Sequence, residues 1–447
     1  MELALVFGIF IAGIAASLLW EVTLLAPLLL GFLLFSGLAL RRGFTVRELG
    51  RMVKESFSES FVVVGVLLLI GALTGLWRIS GTVACFVRLG LSALPPSLFL
   101  LEAFLLTAVM SYALGTSFGV TATAGVILMS IARAGGVNPV LTAGACLSGV
   151  YVGDRGSPAA SSANLVAIVT KTDLRKNIRA MLKNAAVPFL LCCLLYAVLS
   201  RGNALQTAES GTVAAMEKEF CLGWMCLLPA LFMLVLPFCK VPVRLSMAVS
   251  IAAAFVLAVT LQDRSVAETL RCMLLGYTPR EAALTEVLSG GGVLSMLEVC
   301  GILIVSCTYG SIFRRTGMLN GLTARLARAG ERWGRFPVML ALSVGVSMVF
   351  CNQTIGILML NQLSEGMYRP GENHAKMMDI ENTVILTAGL VPWCIACSVP
   401  LGMLGVGYGA VPAAFFLWLL PLGELLRFFW KNRNRWSAGA RQRKPKP

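Results

Sequence analysis

Residues 65–81 read GVLLLIGALTGLWRISG and residues 301–317 read GILIVSCTYGSIFRRTG. Laid over each other, they pair Gly65 with Gly301, Leu67 with Leu303, Arg78 with Arg314 and Gly81 with Gly317, at a constant offset of 236 residues (301 less 65). Each copy is a long apolar run closed by an arginine and a glycine. Loop charge sets orientation, because short loops rich in Lys and Arg stay cytoplasmic. Lysine and arginine crowd 41–54, 171–183, 314–335 and the tail from Arg427, whereas the 201–219 loop carries Glu209, Glu217 and Glu219. On that rule Arg78 lies outside and Arg314 inside, so the copies have opposite topology. Two such copies predict a polytopic all-α membrane protein built from inverted repeats, whose site lies where interrupted helices of the two halves meet.

Composition agrees with a membrane chain. Hydrophobic residues make up 57% of the 447 residues and charged ones 13%, against about 25% charged in a soluble domain. Mean hydropathy is +0.82. A spanning helix needs about 20 apolar residues, and such runs recur at 3–20, 23–40, 60–77, 97–114, 184–200, 221–238, 245–262, 293–313, 336–351, 383–403 and 406–426. With the broken stretches between, 11–13 membrane segments are expected. The organisation predicted is an N-terminal helix over 1–22, a first repeat over 23–220, a second over 221–430 and a basic cytoplasmic tail over 431–447. The N-terminal run lacks a basic leader and a small-residue cleavage signal, so it reads as a retained helix. Both termini then fall in the cytoplasm, and the protein in the cell membrane. The net charge of +15 reflects cytoplasmic loops facing anionic lipid and points to no nucleic-acid partner.

Between 115 and 170 the chain stays apolar but is interrupted by Gly115-Thr116-Ser117, by Gly135-Gly136 and by the polar run Gly153 to Asn164. Backbone without helix is tolerated at membrane depth only where protein or a water-filled cavity satisfies it, so broken helices and re-entrant segments are predicted. At nearly the same offset, half two has Asn352-Gln353-Thr354 breaking its own apolar run. The 153–164 run offers one carboxylate, Asp154, the hydroxyls of Ser157, Ser161 and Ser162, and the amide of Asn164. Hard cations prefer such all-oxygen surroundings, and an intramembrane carboxylate is costly enough to imply a function. Asp154 and Asn164 are the expected ligands of a transported Na+. The plainer alternative for Asp154 is a salt bridge to its neighbour Arg155 at the interface.

Here the residues resemble a known family. Gly153 to Asn164 is similar to the G-D-x-x-S-P-x-S-D-T-T-N signature of the NhaC antiporters, and Gly115-Thr116-Ser117-Phe118-Gly119 to their G-T-S-W-G element. Gly366-Met367-Tyr368 resembles G-R-M-Y/F, and Glu381 through Trp393 resembles E-D-S-G-T-V-T-S-P-L-I-P-W-N. The resemblance implies a sodium/proton antiporter, or a sodium-coupled carboxylate exchanger, working by alternating access. It adds Glu381, Asn382, Thr383 and Trp393 to the expected site. The chain also departs from the pattern: Ser161 and Asn382 stand where the family has aspartates, and Cys394 where it has asparagine. Two carboxylates are thus replaced by neutral groups, which bears on proton coupling.

Two functional readings follow. One is Na+/H+ exchange at Asp154 and Glu381. The other is sodium-coupled transport of a small organic acid or amino acid whose carboxylate is cradled by hydroxyls, amides and helix N-termini. Transported Na+ apart, no cofactor is expected, and a homodimer is compatible with the architecture. An enzyme is not expected: the one histidine, His374, lies in a polar joint, and Cys394 with Cys397 lacks a second pair at zinc spacing. Glu102 and Glu298 sit in apolar runs near their ends, as proton relays or as interfacial charges.

Overall fold

The computed structural model describes residues 2–20, 22–206, 211–239, 241–316 and 323–432. Among them the secondary structure is helical throughout, with one isolated bridge between Tyr277 and Gly290. The first half runs α1 (Glu2–Leu19), α2 (Leu25–Arg41), α3 (Val46–Ile79), α4 (Thr82–Ala93), α5 (Phe99–Leu114), α6 (Ser117–Val120), a π turn, α7 (Val126–Ala134), α8 (Pro139–Gly156), α9 (Ser161–Thr170) and α10 (Leu174–Gly202). After α11 (Gly211–Glu219) come α12 (Leu228–Phe238), α13 (Val243–Thr260), α14 (Val266–Leu275), α15 (Thr285–Leu288) and α16 (Leu297–Thr316). The chain ends in α17 (Thr323–Trp333), α18 (Arg335–Phe350), α19 (Gln353–Leu363), α20 (Asn373–Glu381), α21 (Val384–Thr387), α22 (Ile395–Leu404) and α23 (Phe415–Lys431).

Among the described residues, five helices are long and apolar enough to cross a membrane, three further pairs are bent by more than 40° at a short break, and three shorter apolar helices accompany them. Lipid-facing surface is visible on α10, where Val187, Leu190, Leu191, Leu194 and Val198 form an exposed stripe at helical spacing. Water could not solvate such a face without penalty, and lipid can.

Several segment boundaries differ from the sequence reading. The 41–54 stretch is not all loop: Thr45 caps α3 by accepting from Glu48 N, while the Glu48 carboxylate accepts from Thr45 N at 2.7 Å. These bonds hold the Glu48 carboxyl below its usual 4.5, so the cap is intact above that pH and is lost as acid protonates the group. The expected single span over 383–403 is instead divided: Thr383 (φ −120°, ψ −84°) leaves the helical region ahead of α21, and the 391–394 turn, which contains Pro392, separates α21 from α22. Arg78, expected at the outer surface, is only 7% exposed. The Arg314 side chain, Gly317 and the tail from 433 lie outside the described residues.

Two helical hairpins dominate the interior. In the first, α5 ends at Gly115 in the left-handed region (φ 65°), and Thr116, extended at φ −141° and ψ 118°, caps α6 by accepting from Gly119 N. Both outer ends of this hairpin sit beside the end of α10: Leu100 N donates to Ser200 Oγ, Leu205 N to Pro96 O and Gln206 N to Gly135 O. In the second, α18 ends at Cys351 in the same region (φ 54°), and Asn352, extended at φ −139° and ψ 123°, caps α19 through Thr354 N and Ile355 N. This hairpin opens toward the other end of α10. Its first residue, Arg335, pairs with Glu372 at 2.7 Å, and Gly334 packs on Phe428 near the end of α23. Helix α23 lies antiparallel to α10, with Asn184 bonded to Glu424 and Tyr196 to Ala413. The two hairpin tips therefore approach each other from opposite ends of the molecule.

Candidate functional site

Small residues bring the carriers of the site together. Helix α8 runs parallel to α5 in close contact, and a Cβ on Gly149 or Gly153 would come within 2.0 Å of Thr107 Oγ1 or the Ser111 carbonyl carbon, respectively. Such small-residue seams are how helices approach closely in lipid. Ser111 Oγ donates to Val150 O at 2.5 Å across the seam. The seam turns the face of α8 carrying Tyr151 and Asp154, three residues apart, away from α5 and toward the hairpin tips.

A cavity of about 190 Å³ lies there. Thr116 and Ser117 from the first tip, Asn352, Gln353 and Thr354 from the second, and Tyr151, Asp154 and Ser161 from the broken helix α8–α9 line it. Gln353 Nε2 donates to Asp154 Oδ2 at 3.0 Å and to Ile385 O at 3.1 Å. Asp154 is 5% exposed. Tyr151 Oη donates to Ala396 O at 2.7 Å, tying α8 to the start of α22. Behind the tips, a Cβ on Gly115 would lie 2.4 Å from the Ala159 carbonyl carbon, and Ile395 N donates to Cys351 O. Each tip is thus fastened to a helix break, its own half's, and the freed backbone oxygens, hydroxyls and side-chain amides collect around one carboxylate.

Of the expected site residues, Thr116, Ser117, Asp154, Ser161, Asn352 and Gln353 meet in this cavity. Four others serve the scaffold. Ser157 Oγ donates to Tyr112 O, and Ser162 Oγ donates to the Asp154 main-chain oxygen, each holding the α8–α9 break in shape. Asn164, expected as a second cation ligand, donates through Nδ2 to Pro158 O and Ala160 O and so closes the same turn. Trp393 is 5% exposed and donates to Met348 O at 2.8 Å, bracing the turn before α22 from the interior.

Arg155 does not pair with Asp154. One residue further round the helix, it points to the opposite side and is 1% exposed. Its guanidinium donates to Glu381 O, Met181 O, Asn184 Oδ1 and, at 2.5 Å, Asn382 Oδ1. Glu381 and Asn382 thus form a second polar centre with Arg155, beside the cavity and not in it. Glu381 is 1% exposed and its Oε2 is without a hydrogen-bond partner. Thr383 donates to Asp379 O in the same break. Sequence reasoning missed this role of Arg155, although a cation beside the motif's carboxylate was its signal. Glu298 is exposed and accepts from Thr23 Oγ1, while Glu102 lies in the first turn of α5. Neither reaches the cavity. His374 is exposed at the start of α20.

Comparison with known proteins gives a consistent result. A family model described as the Na+/H+ antiporter family matches residues 149–425. A malate-2H(+)/Na(+)-lactate antiporter of Bacillus subtilis is 24% identical, covering 97% of this chain and 96% of its own. The Na(+)/H(+) antiporter NhaC of Alkalihalophilus pseudofirmus is 27% identical, covering 81% of this chain and 80% of its own. The arginine/ornithine antiporter ArcD of Halobacterium salinarum is 27% identical, covering 87% and 81% respectively.

Proposed function

The chain belongs to the Na+/H+ antiporter family, and from that premise we propose that it exchanges Na+ for H+ across the cell membrane by alternating access around Asp154. The observation that carries this reading is the meeting of both hairpin tips on one buried carboxylate held by Gln353. A buried aspartate among hydroxyl and amide oxygens accepts either a proton or a sodium ion, and competition for one group couples their fluxes. Gln353 turns an N–H toward Asp154 and would rotate to offer its carbonyl to a cation. Ser161, Thr116, Ser117 and Asn352 supply further oxygens. Glu381 beside Arg155 is the second titratable position. No resident cofactor is invoked, since Na+ is cargo.

The halves are read as inverted repeats. Support comes from the offset of 236, which relates Gly115 to Cys351, Thr116 to Asn352, and the first residues of α5 and α18, Phe99 and Arg335 (335 less 99). It comes also from the antiparallel packing of α3 on α16, where Ser56 bonds Ser311 and Gly292 N bonds Gly71 O. The basic ends, including Lys171 and Lys431, are assigned to the cytoplasm with both termini.

A second reading, sodium-coupled movement of a small carboxylate or amino acid, is favoured by the neutral Ser161 in the cavity wall and by two relatives named for organic substrates. Proteoliposomes loaded with a pH-sensitive dye separate the two. Exchange predicts alkalinisation on the side opposite the added Na+ without any organic solute, and its loss in Asp154→Asn. Flux that requires a carboxylate or amino acid on one side would support the second reading and overturn the first.

A further inference from the structure

Arg155 is 1% exposed, and the four oxygens that accept from its guanidinium are all neutral: Glu381 O, Met181 O, Asn184 Oδ1 and Asn382 Oδ1. Among the described residues no carboxylate lies within 4.0 Å of it. A buried cation without an opposite charge is costly. One hydrogen-bonded route leads from this cation to a carboxylate. Asn184 on α10 accepts from Arg155 Nη2 at 3.1 Å and donates through Nδ2 to Glu424 Oε1 on α23 at 2.7 Å. Chemistry fixes which way this amide points, because a guanidinium only donates and an ionised carboxylate only accepts. Cation, amide and anion are thus aligned head to tail, an arrangement in which each bond strengthens the next.

Glu424 stands at the edge of the interior, its side chain 24% exposed, with Arg427, 73% exposed, at 3.4 Å. Glu381, at the inner end, is 1% exposed, and its Oε2 has no hydrogen-bond partner. Arg155 holds the main-chain oxygen of Glu381 and the side chain of Asn382, and leaves the Glu381 carboxyl alone. A carboxyl paired with a buried guanidinium would stay ionised. Here Glu424 supplies the negative charge from the other side. Further charges around Glu381 are few. Asp379 on its own helix accepts from Tyr368 Oη at 2.6 Å, Asp154 on α8 faces the cavity, and Arg335 at the start of α18 is paired with Glu372. Helices α9, α19 and α21 carry no charged residue, and the basic residues of α10 nearest in sequence to Asn184, Arg179 and Lys183, are exposed.

We propose that Glu424 is a positioning residue for proton loading at Glu381: through Asn184 it balances the charge of Arg155 and holds the guanidinium on Asn382, so that the Glu381 carboxyl is free to take and release a proton. The role rests on the reading of Glu381 as a titratable position in exchange. Glu424 does not line the Asp154 cavity. Without its charge, Glu381 becomes the anion available to Arg155 and is held ionised, so that it takes up its proton only at lower pH.

The test is Na+-driven proton flux in proteoliposomes across a range of pH, followed with a pH-sensitive dye. Glu424→Gln keeps an acceptor for Asn184 and removes only the charge. It should move the part of the profile that Glu381→Gln removes to lower pH by about half a unit or more, since a nearby charge acts strongly in a low-dielectric interior. Glu424→Asp should restore most of that shift. In a Glu381→Gln background, Glu424→Gln should leave the profile unchanged, because residues in one network do not act additively. A Glu424→Gln variant that lowers flux equally at every pH in both backgrounds has only a structural role, and that outcome overturns the proposal. So does a wild-type profile in Glu424→Gln when Glu381→Gln alters it. If Glu381→Gln itself leaves the profile unchanged, the reading of Glu381 fails and this role falls with it, so the two failures are told apart. Should Glu424→Gln not fold, Asn184→Ala cuts the bridge at its centre, with the same acid shift expected. No shift there, or failure of both variants to fold, would assign the bridge to the scaffold alone and overturn the proposal.

Discussion

At the scale of single residues, the chemistry of α8 divides between neighbours. Asp154 faces the cavity, where Gln353 meets it, and Arg155 faces α10 and α20, where four oxygens accept from it. Removing that guanidinium leaves those oxygens without their donor, and each buried acceptor left unpaired costs about 1–3 kcal/mol. Arg155→Met should therefore lower the unfolding midpoint sharply, with Arg155→Lys in between; a midpoint within a degree of wild type would contradict this. Asn382, where the family pattern has aspartate, gives Arg155 a neutral acceptor, so Glu381 keeps its buried Oε2 free. Glu381→Gln is expected to narrow the pH dependence of exchange to the part carried by Asp154 while sparing Na+ binding. A pH profile identical to wild type in this variant would show that Glu381 takes no part and that Asp154 alone carries the coupling proton. The sequence made Asp154 legible because an isolated acid in an apolar run has few other uses. Asn164 also closes its own turn through Nδ2, a use that spacing alone does not reveal.

At the scale of elements, the seam between α5 and α8 sets where Asp154 points. Gly153→Ala would drive a methyl against Ser111, an overpacking that costs about 1–3 kcal/mol. It should weaken Na+ affinity together with stability, whereas Gly156→Ala, with its nearest contact at 3.6 Å, should leave affinity unchanged. Equal behaviour of the two variants would show that the seam does not position the site. The breaks themselves were legible from Gly115-Thr116 and Asn352-Gln353, where polar and small residues interrupt apolar runs. Within 383–403, Val384 to Leu390 is apolar enough to pass as the middle of a span, and the division falls at the 391–394 turn with Pro392. Just ahead of that stretch, Arg155 holds Glu381 O and Asn382 Oδ1 from another helix.

At the scale of the molecule, two hairpins enter from opposite ends with similar left-handed and extended residues at their tips, Gly115–Thr116 and Cys351–Asn352, and the proposed inverted repeats rest on that likeness. Hydropathy conveyed the class, a polytopic all-helical membrane chain. It did not convey that α5 and α18 turn back at their tips, since a re-entrant arm is as apolar as a span. On a cysteine-free background, a cysteine at exposed Gln206 should label from outside and one at exposed Arg175 from inside; labelling from one side would refute the assigned orientation. The central claim is that both halves close on one sodium site at Asp154. Its most direct test is Na+ binding to the purified protein by calorimetry, at a pH at which Asp154 still carries a proton before Na+ is added, with the proton released on binding measured in two buffers of different ionisation enthalpy. The expected result is saturable Na+ binding that releases a proton, abolished in Asp154→Asn and weakened in both Ser117→Ala and Gln353→Ala, one from each hairpin. Na+ binding of wild-type affinity in Asp154→Asn would contradict the account.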